Sequence, residues 1–360
     1  MFVFAPRQPS GQIRIVSGSP GTVPFRSHEE LNRTKTMWKN RNISTTRTLA
    51  AGLLLLSGCS KSGAGTVAQD EAIGFSTNVA RSAVTEFAEK DRFAVWARET
   101  PAGGVPSLIL EQESVTLENG EWGYTNLRFW RNGAAYDFYA VYPYELQSAL
   151  KVTGAGGSPY MEITDFDATQ SADLMAAEET DLRYTPPARP VTFVFRHLLA
   201  QVRIEGRVDP ALAASGRVSA EIVSVKLFGM PKGGSCTVWP GEDGVWTPGE
   251  PTTADAPFAE NTAGLKLTAS GQSVFTDDLL LLPQSVGEAF TLEIRYRYTE
   301  AGSTSDILTK SVNLAEAGLA AWAAGGSYRY TFTIGGEYIL FERPEVVPWI
   351  SASGGSITVE

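Results

Sequence analysis

Phe290-Thr-Leu292-Glu-Ile294-Arg-Tyr296-Arg-Tyr298 alternates apolar and polar residues over nine consecutive positions. A period of two puts each set on its own face of an extended chain, so this stretch predicts a half-buried β-strand and excludes an amphipathic helix. Ser327-Tyr328-Arg-Tyr330-Thr-Phe332-Thr-Ile334 repeats the pattern. Tyr136 to Tyr142 is bulky on both faces, which suits a central strand. Val191, Phe193 and Phe195 lie on odd positions but Val202 and Ile204 on even ones, so a bulge or bend is expected near Leu198-Leu199. Leu279 to Leu282, closed by Pro283-Gln284, has the length of a buried strand.

Helix signals are few. Asn313 is placed to cap "LAEAGLAAWAA", with Gly325-Gly326 as the stop. Turn sequences such as Glu118-Asn119-Gly120, Arg131-Asn132-Gly133 and Pro240-Gly241 separate the strands. Many short strands between such turns predict an all-β chain built as β-sandwiches. The expected break between two of them is Thr185-Pro186-Pro187-Ala188-Arg189-Pro190, giving domains over 71–186 and 187–360.

A different pattern governs the start of the chain. Leu53-Leu-Leu-Leu56-Ser-Gly-Cys59 follows Lys39, Arg41 and Arg47. Its apolar run is far below the ~20 residues a membrane-spanning helix needs, but it fits the core of an export signal. The expected start is therefore Met37, with 37–58 as signal peptide and 1–36 as upstream translation outside the fold. Leu56-Ser-Gly-Cys59 resembles the lipobox of bacterial lipoproteins, which implies acylation of Cys59 and anchoring in outer-membrane lipid. Residues 59–70, small and polar, would form a tether. The whole chain holds 30 Lys+Arg and 40 Asp+Glu. Residues 1–58 hold 8 and 2 of them, leaving 22 and 38, a formal charge of −16 on the exported part. That argues against nucleic acid as a partner.

Catalytic and metal chemistry find little to work with. Beyond Cys59 there is only Cys236, and the only histidines are His28 and His197. No Cys/His zinc site, H-E-x-x-H, C-x-x-C or G-x-S-x-G pattern occurs. Asp165, Asp167 and Asp173 lack the spacing of an EF-hand. No catalytic residue, metal ligand or cofactor is expected, although paired carboxylates leave a hydrolase formally open.

Several segments together resemble the fimbrillin family of type V pilus subunits. The residues are Ile73-Gly-Phe75-Ser with Arg81; Phe93-Ala-Val95-Trp96; Phe129-Trp130 leading to Tyr136-Asp-Phe138-Tyr-Ala-Val-Tyr142-Pro; Asp173-Leu-Met175; Val191 through Ala200; Leu282-Pro-Gln284; Trp322 before Tyr328-Arg-Tyr330; and Val347-Pro-Trp349. The resemblance implies two transthyretin-like, Greek-key β-sandwich domains in tandem. It also implies export as a surface lipoprotein and assembly with other pilus subunits by strand exchange. An Arg-specific protease would cut at Arg81 and remove a first strand whose Ile73, Phe75 and Val79 share one face. A neighbour's terminal strand would fill the groove. The candidate donor in this chain is 346–360, with Val347, Trp349, Ile357 and Val359 on alternate positions. A tail already paired within its own domain would point to a tip or anchor rather than a shaft subunit. The competing expectation is a monomeric surface lipoprotein that binds glycans through a row of exposed tryptophans, drawn from Trp122, Trp130, Trp239 and Trp246.

Overall fold

The structure, a computed structural model, describes residues 71–79, 82–84, 87–155, 158–170, 172–239 and 242–350. Its regular secondary structure is almost all β-strand. In chain order the first strands are β1 (Phe75–Val79), β2 (Ser82–Val84), β3 (Arg92–Thr100), β4 (Ser107–Glu118), β5 (Glu121–Gly123), β6 (Ala135–Tyr142) and β7 (Leu150–Ala155). Next come β8 (Ser158–Asp167), β9 (Met175–Arg183), β10 (Val191–His197), β11 (Ala200–Val208), the short helix α1 (Pro210–Ala214), β12 (Val218–Phe228), β13 (Gly233–Val238) and β14 (Val245–Pro248).

Seven of these form one sheet in the order β1-β10-β9-β6-β3-β4-β5. Its ladders are antiparallel except for the edge pair β1–β10, which is parallel. The sheet curls until its two edge strands approach each other. The Trp122 indole N–H on β5 donates to Thr77 Oγ1 on β1 at 3.0 Å. Inside the curl lies a core of Ile73, Phe75, Phe93, Val95, Tyr136, Phe138, Val191, Phe193 and Phe195.

The outer face of the same sheet is not wet. Ala94, Trp96, Tyr139 and Val141 point the other way and belong to a second, larger core. Strands β3 and β6 are therefore buried on both faces, which accounts for the doubly bulky Tyr136–Tyr142 pattern. A four-stranded sheet, β14-β13-β8-β7, shares this second core through Met161, Ile163, Phe166, Cys236 and Val238. Two further sheets complete it. One is built on β11 and Ser327–Ile334, which pair in parallel; the other on β12 and Thr291–Glu300, which pair antiparallel. In Thr291–Glu300 the residues Leu292, Ile294 and Tyr296 are buried while Arg295 and Arg297 face solvent, as the period of two requires.

The change of phase near Leu198-Leu199 is a change of sheet. β10 ends at His197 in the curled sheet, and β11 begins at Ala200 in another. Leu198 and Leu199 are fully buried where the chain passes between the two cores. The proline-rich stretch at 185–190 comes one strand earlier, and Val191–His197 returns to the curled sheet. β8, from the first half of the sequence, pairs with β13 from the second, Ile163 facing Cys236. The expected helix after Asn313 is reduced to one turn, Leu314–Ala317. Asn313 Oδ1 does accept from Ala315 N at 2.9 Å, but Gly318 adopts φ 87°, a left-handed cap that ends the helix. Trp322, which would have continued it, sits in a two-residue strand facing Gln284. The one α-helix among the described residues, α1, carries a signal that the alternation scan passes over. Asp209 caps it by accepting from Ala211 N and Leu212 N, with Pro210 at its first position.

The β8–β13 pairing gives a test of this joint between the halves. A Cβ on Gly233 would stand 1.8 Å from Phe166 O. Cys236, three residues further along β13, is 1 % exposed, and burial pushes its thiol up to about 12. In a Cys59→Ala background the native chain should resist maleimide at pH 8. Gly233→Ala, costing about 1–3 kcal/mol by overpacking, should speed Cys236 labelling roughly tenfold or more. An unchanged labelling rate would show that the two strands do not meet as described.

Candidate functional site

The candidate site is the seam where β1 and β5 face each other. β1 has the residues of a strand laid over a core. Phe75 is 5 % exposed, Val79 is half-buried, and Asn78 between them is exposed. Phe75 is seated among four rings: Phe93, Tyr124, Phe138 and Phe193, with centroids 5.3 to 6.4 Å away. Just before the strand, Ile73 is 1 % exposed and its N–H donates to Arg128 O at 2.8 Å. The three residues expected on one face of a first strand, Ile73, Phe75 and Val79, all pack against the curled sheet's core.

One edge of β1 is satisfied by β10, from Phe75 facing Val191 to Val79 facing Phe195. The other edge opens on a cleft of about 900 Å³ whose far wall is Leu117, Glu121 and Trp122 and whose floor includes Phe87. Across this seam the contact is by side chains. Besides the Trp122–Thr77 bond, the Tyr124 hydroxyl donates to Ile73 O at 2.9 Å. Burial raises the Tyr124 hydroxyl above the usual tyrosine value, so it stays a donor throughout the neutral range. Phe87 closes the lower end against Trp122, Tyr142 and Phe195.

Arg81 and Cys59 lie outside the described residues, as do Ile357 and Val359. The strand that follows Arg81 in sequence, β2, pairs in parallel with Trp349–Ile350. Val347 pairs with Ser327 on the neighbouring sheet. Trp349 is 2 % exposed, its ring stacked on His197 at 4.1 Å between centroids. His197 is itself 3 % exposed, and its Nδ1 donates to Asp173 Oδ1 at 2.9 Å. The described part of the tail is thus bound within its own chain, against the segment next to Arg81.

The tryptophans do not form an exposed row. Trp130 is 7 % exposed, and the indole N–H groups of Trp122 and Trp246 are committed to Thr77 Oγ1 and Leu198 O. Two aspartates of the acidic loop are separately engaged, Asp167 with Thr169 and Asp173 with His197. Among the described residues no group of three or more His, Cys, Asp or Glu is placed to hold a metal ion. Phe87, Trp122, Tyr124 and Thr77 shape the seam, yet the sequence singled out only Trp122, and that as a candidate sugar contact. The only signal was a tryptophan in a three-residue strand directly after Asn119-Gly120.

The fimbrillin-like family model matches residues 77–349. This chain belongs to the fimbrillin-like family. Among solved structures it is similar to a fimbrial protein from Bacteroides vulgatus at 18 % identity and TM-score 0.54, covering 78 % of this chain and 100 % of that one. A candidate cell-adhesion protein from Bacteroides uniformis is 18 % identical with TM-score 0.46, covering 78 % and 99 %. The fimbrial anchor protein of Porphyromonas gingivalis is 11 % identical with TM-score 0.32, covering 78 % and 98 %. No curated protein sequence matches the chain. The first of these likenesses supports the fold; the family match spans every sheet of this fimbrillin-like chain, from within β1 to the buried Trp349.

The seat of Trp349 can be tested directly. Trp349→Ala should lose about 3–5 kcal/mol of stability in denaturant unfolding and expose the segment after 345 to early proteolysis. A loss below ~1 kcal/mol would mean the ring is not seated on His197.

Proposed function

We propose that this chain is a structural, adhesive subunit of a cell-surface pilus, anchored in the outer membrane as a lipoprotein through Cys59. It is assembled by strand exchange after an Arg-specific protease cuts at Arg81. The observation that carries this reading is the position of β1. It is an edge strand, in parallel register, that seals an aromatic core on one side and borders an open cleft on the other. Removing it would unpair one edge of β10 and empty the seat of Phe75. Burial of Ile73, Phe75 and Val79 contributes roughly 1.5–3 kcal/mol each as an upper value, so a groove without them favours a replacement strand. Exposed strand edges over apolar floors recruit extended segments. Membership in a fimbrillin-like family supports the pilus role and gives no support to an enzyme. His197, the one described histidine, is packed between Trp349 and Asp173 rather than facing a cleft.

The tail bears on position within the pilus. Val347 and Trp349 are spent inside this chain, which favours a tip or anchor over a shaft subunit. Ile357 and Val359 are what remains for donation to a neighbour, and a head-to-tail contact through them would extend as a filament.

Native trypsin treatment separates these cases. The first cut should fall near Arg81. The cut chain should then bind a fluorescent peptide spanning 71–81 yet stay monomeric, as a tip or anchor would. Ladders that resist detergent without boiling, lost on deleting 351–360, would make it a shaft subunit. A cut chain that binds no strand would defeat the strand-exchange reading. Separately, a clickable fatty acid should label the wild type and miss Cys59→Ala; equal labelling would remove the lipoprotein claim.

A further inference from the structure

One end of the curled sheet gathers exposed apolar side chains around the point where the chain enters it. The strand registers define that end. β3 finishes there with Thr100 facing Ala135, β9 with Arg183 facing Ala135, and β1 and β10 start there with Phe75 facing Val191. Val105, on the turn between β3 and β4, is 82 % exposed. Leu127 and Phe129, in the connection from β5 to β6, keep 50 % and 45 % of their surface in solvent, and Leu108 keeps 47 %. Single exposed apolar residues are ordinary, but four at one end mark a contact surface.

The entering chain is fastened to the same connection. Ala72 bridges to Phe129 in antiparallel sense, Ile73 N donates to Arg128 O at 2.8 Å, and Trp130 N donates to Glu71 O at 3.0 Å. Residues 59–70 therefore join the body beside Phe129. A segment of that length reaches at most about 40 Å even when fully extended. With Cys59 acylated, Leu127 and Phe129 are among the first parts of the body to meet the lipid.

The charges at this end are spent locally. Arg131 Nη1 stands 3.5 Å from Glu99 Oε1, and Arg183 Nη2 stands 3.2 Å from Asp181 Oδ1. Glu71 accepts from the Tyr184 hydroxyl at 2.9 Å, and Glu113 from Asn126 Nδ2 at 2.9 Å. Arg128 is turned back so that its Nε donates to Ile109 O at 2.7 Å. The turn itself, Pro101-Ala-Gly-Gly-Val105-Pro106, carries no charge, and within it Gly104 N donates to Pro101 O at 2.9 Å. Arg128, Arg131, Arg183 and Arg189 thus balance Glu71, Glu99, Glu113 and Asp181, on an exported part that holds 22 basic and 38 acidic residues. This end can approach a headgroup layer without the repulsion that the rest of so acidic a body would meet.

We infer, resting on the lipoprotein reading of Cys59, that this end is a membrane-docking face. Val105, Leu127 and Phe129 dip into the headgroup layer of a phospholipid surface while the acylated cysteine holds the chain there. The acyl anchor supplies one membrane signal, and a shallow apolar contact supplies a second that also fixes orientation. β10 runs from Val191 at this end to His197, which seats Trp349. The tail therefore leaves about 20 Å further up the strand, on the side away from the lipid, where a neighbouring subunit can reach it.

The test uses protein exported by cells expressing the full chain, carrying the polarity-sensitive dye NBD at Val105→Cys and reconstituted in phosphatidylcholine vesicles. Cys236 is buried and stays unlabelled. Emission at 105 should rise about threefold or more and be quenched by lipids spin-labelled near the headgroup. The same dye at Tyr338→Cys, 54 % exposed beside another sheet, should not respond. Leu127→Asp, on an exposed side chain and with an unchanged melting temperature, should cut the rise at 105 at least threefold. Raising salt from ~50 to ~500 mM should leave the rise in place, since apolar contact carries it. A rise that ignores Leu127→Asp reports only a nearby tether and overturns the docking face. So does an equal response at 105 and 338, or a probe at 105 that stays dark on vesicles. A rise confined to native membranes would mean a protein partner instead, and one that grows with protein concentration without lipid would mean a second copy. Clickable fatty-acid labelling of the same samples keeps the two readings apart. An acylated chain with a dark probe defeats the face alone. An unacylated chain whose probe still lights on added vesicles loses the anchor and keeps the face, and one with a dark probe loses both.

Discussion

β3 and β6 have no wet face, and the rest of the architecture follows from that. Phe93, Val95, Tyr136 and Phe138 fill the curl of their own sheet, while Ala94, Trp96, Tyr139 and Val141 close the second core. A strand buried on both sides must be covered on both sides. The curl of the sheet covers one; β8 and β13, drawn from opposite halves of the sequence, cover the other. The halves therefore share a wall instead of being joined only by a flexible linker. Backbone hydrogen bonding follows the same logic, since each interior strand of the curled sheet pairs on both edges and only β1 and β5 are left with one.

This also explains which parts of the fold were legible in the sequence. Alternation identified the strands whose two faces contrast most, as in Thr291–Glu300 with Arg295 and Arg297 outside, but passed over β4 and β12. The phase change at Leu198-Leu199 was visible, but a sequence cannot distinguish a bulge from a passage between sheets. Both reverse the inward parity, and only long-range pairing separates them. The helix expected after Asn313 failed because Gly318 can adopt the left-handed cap conformation four residues after the first helical position. Local propensity favoured continuing; pairing of Trp322 with Gln284 and its burial against Phe290 favoured stopping.

Legibility of the sites was uneven for a related reason. Ile73, Phe75 and Val79 were readable because they share a strand face, and that face has a period. The opposite side of the seam comes from Phe87, Leu117 and Trp122, which share no period and meet β1 only through the curl. Trp130 was singled out in the sequence, but its burial was not: it is 7 % exposed. Glu99 has the inward parity of Phe93, Val95 and Ala97 and is 4 % exposed, beside Arg131. No pattern within either segment carries the information that the two will meet.

The two ends of the described chain are held by the same mechanical logic. β1 is fastened to β10 by backbone pairing and to β5 only by side chains, so its cleft edge is the weaker one. The tail is fastened by Val347 on one sheet and by Trp349 on His197, with β2 paired beside it. β2 follows β1 after only two intervening residues. Pulling β1 out of its seat with the chain intact would strain the β2 pairing, one of the contacts holding Trp349, whereas a cut at Arg81 would separate β1 from β2 and leave that pairing in place. The ring stack and the bond from His197 to Asp173 remain on the body of the fold. Loss of the first strand by that cut would leave the tail both its backbone partner β2 and its apolar seat, so the tail should stay attached. Its release would need the β2 pairing to break and Trp349 to be exposed, the second being the larger cost.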